Sequence, residues 1–157
     1  MKIAVREATV HELPDINQLL RLSKGHWGYD EAFLDRFIAK LGITLSYMEQ
    51  HAIQLVYLDG ELAGFYNFLT GSEEAFELDN FFLHPDYIGR GMGRKLWEVC
   101  CADAIKQGKD EFILMIDPHA ENFYLKMGCE RIGARPSPMH PGRDSPVLKF
   151  KLARYKK

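Results

Sequence analysis

Three glycines alternate with other residues where a predicted strand gives way to a predicted helix, and this bend constrains the fold more than any other feature. Residues 83–96 read LHPDYIGRGMGRKL, in which Gly89, Gly91 and Gly93 precede the apolar stripe of a helix. The first residues of a helix leave their N–H groups without partners and carry the positive end of the helix dipole. Because glycine lets a ligand approach the backbone without a Cβ clash, the bend predicts a phosphate or pyrophosphate site.

Two familiar phosphate-binding patterns do not fit this bend. The pattern GxxxxGK[ST] is absent, and GxGxxG fails because Arg94 stands where the third glycine belongs. Arg90, Arg94 and Lys95 add positive charge around the bend. Spacing alone leaves two interpretations open, a pyrophosphate site and a plain turn that begins a helix.

Hydrophobic periodicity along the rest of the chain predicts a sheet with helices packed on it. Asp59-Gly60, between two runs of β-branched and aromatic residues, is a strong hairpin signal. We therefore predict one domain over residues 1–157, of α/β (mixed α+β) class, with a central, mostly antiparallel mixed sheet flanked by helices. The predicted strands are 2–7, 51–58, 62–69, 75–83, 112–116 and 147–152, and the predicted helices cover 13–20, 33–41, 92–100 and 120–127.

Composition narrows the classes of function. The 157 residues are 46% hydrophobic and 27% charged, with a net charge of −2, which argues against a nucleic-acid partner. No apolar run approaches the roughly 20 residues that cross a bilayer, and charges stand too early for a signal peptide. The three cysteines lack CxxC spacing, and the six histidines lack zinc-site spacing. We expect a cytoplasmic protein with no metal and no membrane partner.

Two segments resemble signature motifs of the GNAT superfamily of N-acetyltransferases. The glycine bend resembles its acetyl-CoA signature, Q/R-x-x-G-x-G/A, and residues 120–129 (AENFYLKMGC) resemble its later A-x-x-F-Y-x-K-x-G-F segment. The predicted order of elements is also similar to the GNAT fold over essentially the whole chain. Three residues depart from the pattern: Ile88 at the Q/R position, Asp117 where an asparagine often touches the cofactor, and Cys129 in place of phenylalanine.

The resemblance implies an acyltransferase whose cofactor is acetyl-CoA. It implies that the backbone of Phe81, Phe82 and Leu83 pairs with the pantetheine arm like an added strand. Further cofactor contacts are expected from Asp117 and Asn122. The amides expected to hold the pyrophosphate belong to Ile88, Gly89, Arg90, Gly91, Met92, Gly93 and Arg94.

Acylation of an amine requires a base that removes a proton and an acid that protonates the leaving thiolate. By resemblance Tyr124 lies beside the thioester sulfur as that acid; otherwise it is a core tyrosine whose hydroxyl caps a backbone group. Glu77 and Asp79 lie on one face of the predicted strand 75–83 and are both candidates for the base. The resemblance makes Glu77 the first choice, because related enzymes place a glutamate near this point of the strand. The alternative is that both are solvated surface carboxylates, in which case His84 and His119 are further candidates.

The resemblance places Trp27 and Tyr29 in the wall of the acceptor site, together with Glu77, although aromatic residues beside helices are commonly core residues. Arg135 and Arg143 could meet an acidic group of the substrate. We predict direct transfer of acetyl to a primary amine on a small molecule or peptide, which the sequence does not identify. A homodimer is compatible with the resemblance. The competing hypothesis is a non-catalytic acyl-CoA-binding or regulatory module on the same fold.

Overall fold

A computed structural model describes residues 2–69 and 75–155, which form two antiparallel sheets and the helices around them. The strands are β1 (Ile3–Glu7), β2 (Gln54–Leu58), β3 (Glu61–Phe68), β4 (Leu78–Leu83), β5 (Glu111–Met115), β6 (Glu130–Pro136) and β7 (Asp144–Lys151). The helices are α1 (Leu13–Gly25), α2 (Glu31–Leu41), α3 (Leu45–Gln50), α4 (Met92–Lys106) and α5 (Glu121–Met127). The strand orders are β1-β2-β3-β4 and β5-β7-β6, so the predicted mixed α+β class is confirmed.

The hairpin between β2 and β3 forms where Asp59-Gly60 predicted it. Asp59 has φ 49° and Gly60 has φ 85°, the positive values that a tight two-residue hairpin turn requires. The strands around it pair as Leu58 with Glu61 and Leu55 with Phe65, which places alternate residues on opposite faces of the sheet.

Two elements of the structure, α3 and β6, were not predicted from the sequence. The helix α3 is only six residues long, so it carries too few turns for an apolar period to show; it begins after Thr44, whose hydroxyl accepts from the Tyr47 N–H at 3.1 Å. All seven residues of β6 are exposed. A strand without a buried face does not show the alternation of apolar and polar residues by which a strand is predicted.

The two faces of the first sheet carry separate parts of the core. Leu55 and Phe65 pack against α1 and α2 on one face. Val56 and Tyr66 pack on the opposite face with the apolar side of α4. This alternation follows from the period of two along a strand.

The two sheets meet where β4 approaches β5. A parallel bridge joins Glu77 to Ile113, and the Ile113 N–H donates to the Phe76 carbonyl at 2.9 Å. Beyond this point, within residues 2–69 and 75–155, β4 pairs only with β3, and β5 pairs only with β7. The carboxyl halves of two neighbouring parallel strands are therefore separated by a gap. In the same ranges, no helix has the length and apolar character needed to cross a membrane.

Candidate active site

The glycine bend exposes backbone donors at the start of α4. Gly89 and Gly91 have φ values of 80° and 78°, where a side chain would be strained although a Cβ would meet no atom within 4 Å. Among the described residues, no acceptor bonds the N–H groups of Gly89, Gly91, Met92, Gly93 and Arg94. Gly89, Gly91 and Arg94 are exposed. The bend thus offers free donors at the positive end of a 15-residue helix.

Two of the predicted donors in the bend are used within the chain. The Ile88 N–H donates to the Pro85 carbonyl at 3.1 Å, and the Arg90 N–H lies 3.4 Å from the Tyr87 carbonyl. These bonds hold the bend in shape. Met92 anchors it differently, because its side chain is buried against the apolar ends of β2 and β3.

Gly93 brings the bend close to α5. A Cβ at this position would lie 2.9 Å from Cε1 of Phe123, a contact that real side chains do not make. The absence of a side chain at Gly93 therefore allows the start of α4 to pack directly on α5. This contact places Tyr124, the next residue, near the bend.

The backbone of β4 has two open positions along the gap. In an antiparallel pair, hydrogen-bonded and non-bonded positions alternate. Because the His84 N–H donates to the Ala63 carbonyl at 2.7 Å, Phe82 also occupies a hydrogen-bonded position toward β3. The backbone groups of Phe81 and Leu83 point the other way, into the gap, whereas those of Phe82 are committed to β3.

Tyr124 lies at the edge of the core, with only 7% of its surface exposed. Its ring contacts Phe81 and Trp97 at centroid distances of 6.0 and 5.7 Å. Its hydroxyl bonds no described residue, so it caps no backbone group there. Burial raises the pKa of Tyr124 well above its ordinary value, helped by the nearby Cys129 and Cys100. The phenol therefore holds its proton at neutral pH.

The two predicted carboxylates lie in different environments. Both oxygens of Glu77 lie 3.1 Å from Nη1 of Arg135, and its side chain is 15% exposed. Asp79 is exposed and sits in a β-bulge, since Asn67 pairs with Asn80 while the next partner across the ladder skips it. The Tyr47 hydroxyl donates to Oδ2 of Asp79. Arg135 therefore distinguishes the surroundings of Glu77 from those of Asp79, which bonds Tyr47 instead.

A second polar cluster joins the α1–α2 connection to the segment after β5. Lys24 Nζ lies 2.6 Å from Oδ2 of Asp117, and the Tyr29 hydroxyl donates to the same oxygen at 2.9 Å. The other oxygen accepts from the His119 N–H at 2.9 Å, and the Trp27 ring stacks on His119 at 5.9 Å. Asp117 was predicted to contact the cofactor, but both of its carboxylate oxygens are bonded to protein groups.

Opposing effects set the charge state of Asp117. Burial on its own would raise the pKa of this carboxyl, but the hydrogen bond and charge of Lys24 and the bonds from His119 outweigh it and lower the pKa to about 2. Lys24 was not predicted, because the two partners stand 93 positions apart and no local pattern connects them.

The segment between β6 and β7 packs on α2. The His140 ring stacks on Phe33 at 5.2 Å, and Lys40 Nζ donates to the Pro138 carbonyl at 2.6 Å. Of the other predicted residues, Asn122 is exposed on α5, and His84 accepts from the Asp86 N–H at 3.1 Å as a local cap.

The space for ligands is an open surface rather than an enclosed cavity. The enclosed cavity beneath α4, lined by residues such as Val56, Ala63 and Leu96, has room for little more than a water-sized group. In the described ranges, no three histidine, cysteine or acidic side chains are grouped so as to hold a metal ion.

Comparison with known proteins defines the class to which this fold and site belong. A family model described as "Acetyltransferase (GNAT) domain" matches residues 15–137. The chain therefore belongs to the GNAT acetyltransferase family, as the two motifs predicted, and is an acyltransferase. No curated protein sequence matches it.

Solved structures of the same fold align with nearly the whole chain. The PaiA N-acetyltransferase of Thermoplasma acidophilum, in complex with coenzyme A, is 20% identical with a TM-score of 0.72, over 96% of this chain and 99% of that one. A GNAT structure from Rhodopseudomonas palustris is 17% identical with a TM-score of 0.76, over 96% of each chain. An aminoglycoside 6'-N-acetyltransferase complexed with coenzyme A is 14% identical with a TM-score of 0.67, over 97% of each chain.

Proposed function

We propose that the chain transfers an acetyl group from acetyl-CoA to a primary amine, by direct attack within a ternary complex. The observation that carries this proposal is the set of free N–H groups at the glycine bend, directly before the first turn of α4. Such donors, with the helix dipole, favour a diphosphate.

The chain's own groups suit the rest of the cofactor. The free backbone groups of Phe81 and Leu83 would pair with an extended arm lying in the gap, as an added strand does. Arg94 and Lys95 are exposed beside the bend and would face the phosphates. The two coenzyme A complexes of the same fold support this assignment.

Acetyl-CoA, when bound, supplies an acetyl group already activated as a thioester. Tyr124 would donate the proton of its hydroxyl to the departing sulfur, and burial keeps that proton in place until transfer. A carboxylate on β4, Glu77 or Asp79, would accept the proton that the amine loses. The N–H group of Phe81, whose ring contacts Tyr124, would stabilise the charge that develops on the carbonyl oxygen, and the Leu83 N–H would stay with the arm.

The acceptor is proposed to be a primary amine on a small molecule or a peptide. Proteins of the same fold are named for both kinds, an aminoglycoside and an alanine of ribosomal protein S18 in Escherichia coli. Trp27 and Tyr29 would form one wall of this site, opposite β4. A cytoplasmic location, the absence of a nucleic-acid partner and a homodimer stay predictions.

The test combines turnover with binding. Purified protein is mixed with acetyl-CoA and a panel of small and peptide amines, and release of free thiol is followed while calorimetry measures coenzyme A affinity. We expect amine-dependent thiol release. Coenzyme A binding without turnover on any amine would favour the non-catalytic acyl-CoA-binding module, and absence of binding would overturn both functions.

A further inference from the structure

A hydrogen-bonded network surrounds Asp79 on the face of β4 that carries α1, α2 and α3. The Tyr47 hydroxyl, from α3, donates to Asp79 Oδ2. The same hydroxyl oxygen accepts from Asn67 Nδ2 at 2.8 Å and from Asn80 Nδ2 at 3.1 Å. Asn80 also donates to Asn67 Oδ1 at 2.8 Å. Four side chains from α3, β3 and β4 thus form one connected group.

A count of donors and acceptors fixes the direction of the central bond. A tyrosine hydroxyl has one proton to donate and two lone pairs to accept with. The two asparagine amides fill both lone pairs, so the only proton of Tyr47 is directed at Asp79. Asn67 is 1% exposed, and a buried amide is stable only when its hydrogen bonds are satisfied. The network therefore holds Tyr47 as a donor to this carboxylate.

The network leaves one side of Asp79 available. Within the described ranges, Oδ2 accepts from Tyr47, whereas no protein group bonds Oδ1. Asp79 is also exposed and displaced outward by the β-bulge. Glu77 differs in both respects, because Arg135 contacts both its oxygens and only 15% of its side chain is exposed. A proton can reach Asp79 without breaking a salt bridge.

We infer that Asp79 is the base of the reaction and that Tyr47, held by Asn67 and Asn80, is the positioning residue that orients it. This inference rests on the proposed acetyl transfer. Asp79 Oδ1 takes a proton from the amine nitrogen as the new C–N bond forms. Tyr124 gives a proton to the sulfur as the C–S bond breaks, and solvent then restores both groups.

The positions of Tyr47 and Tyr124 agree with these roles of base orientation and acid. Tyr47 packs with the core cluster beside α1 and α2, whereas Tyr124 belongs to the cluster beside α4. Asp79 and Phe81, which contacts the Tyr124 ring, are two residues apart on β4. The base and the acid therefore lie beside the same strand, with Tyr47 and Tyr124 packed in the core clusters on its two faces.

The test is a double-mutant cycle on the full chain, with the best amine from the panel. We expect Asp79→Asn to lower kcat by about 100-fold or more, as loss of a general base does. Tyr47→Phe should lower kcat by roughly tenfold while the KM for acetyl-CoA stays the same, since one hydrogen bond to a charged group is lost. The double variant should be no slower than Asp79→Asn alone, because Tyr47 acts only through Asp79.

The matched control is Tyr57→Phe. The Tyr57 hydroxyl accepts from Arg6 and donates to Glu12, and among the described residues it has no bond to Asp79 or Tyr47, so kcat should be unchanged. Coenzyme A affinity, measured by calorimetry on every variant, reports whether the fold is intact. Three outcomes would overturn the inference. The first is that the losses in the double variant are additive, and the second is that Tyr47→Phe keeps full activity. The third is that Asp79→Asn keeps full activity while Glu77→Gln loses it. A wild-type protein without turnover would overturn the proposed function itself.

Discussion

The two sides of the site use polar groups in opposite ways. At the glycine bend, backbone N–H groups have no acceptor among the described residues. Around α1 and β4, side chains bond one another: Asp117 with Lys24 and Tyr29, and Asp79 with Tyr47. We therefore expect the bend to act through its backbone conformation, and the side-chain networks to act through the residues that form them.

This difference bears on Ile88, which stands where the resemblance expects a polar side chain. Its amide shapes the bend by bonding the Pro85 carbonyl, and the N–H groups without an acceptor among the described residues are those of residues 89 and 91–94. A site made of backbone amides depends on conformation, and only a change that alters φ or blocks an amide affects it directly.

The largest expected effect separates catalysis from cofactor binding. Tyr124→Phe removes the hydroxyl and leaves the buried ring in contact with Phe81 and Trp97. We expect kcat to fall by about 100-fold or more, the range for loss of a general acid, with coenzyme A affinity unchanged. Steady-state kinetics and calorimetry on one preparation measure both. Full activity in this variant would remove Tyr124 from the mechanism.

A smaller effect, on coenzyme A affinity, is expected when the backbone conformation of the bend is changed. Gly91→Ala places a Cβ at φ 78°, where no atom blocks it, so the cost is backbone strain of about 1–2 kcal/mol. Relief of that strain would turn the amides away, and we expect coenzyme A affinity to fall roughly tenfold, as loss of one charge-assisted bond does. Calorimetric titration with coenzyme A measures the change.

Gly108→Ala is the matched control for this variant. Gly108 has φ 79° and equally open surroundings, but it follows the far end of α4. Both variants should lose similar unfolding free energy, and only Gly91→Ala should lose affinity. Equal affinities would mean that the conformation of the bend does not matter for binding.

The sequence predicted the parts of this molecule that depend on neighbouring residues. Asp59-Gly60 sets its turn alone, and the glycines of residues 89–93 set theirs, so both could be read from the chain. The pairs Lys24–Asp117 and Arg135–Glu77 are 93 and 58 positions apart, and only the fold brings them together. Tyr47 lies on a helix too short to show a period, which is why the network around Asp79 was not foreseen.

The smallest expected effect concerns the charge of Asp117 at acid pH. The folded pKa of Asp117 is about 2, below its ordinary value of 3.8, so its contribution to stability is present above about pH 4. That contribution is lost as pH falls from about 4 toward 2, because the folded state must then take up a proton that the unfolded state already holds. Allowing for partial solvent screening, we expect about 1 kcal/mol.

Denaturant unfolding of the wild type and Asp117→Asn between pH 2 and 6 measures this contribution. The difference in unfolding free energy between the wild type and Asp117→Asn should decrease by about 1 kcal/mol as pH falls, because the variant has no carboxyl to protonate. Glu12 provides the comparison: its pKa is also about 2, through Arg6, but this pair lies at the surface. Glu12→Gln should therefore give a smaller change that added salt reduces, whereas the change at Asp117 should persist. If the difference in unfolding free energy between the wild type and Asp117→Asn does not depend on pH, Lys24 and His119 do not favour the charged form of Asp117.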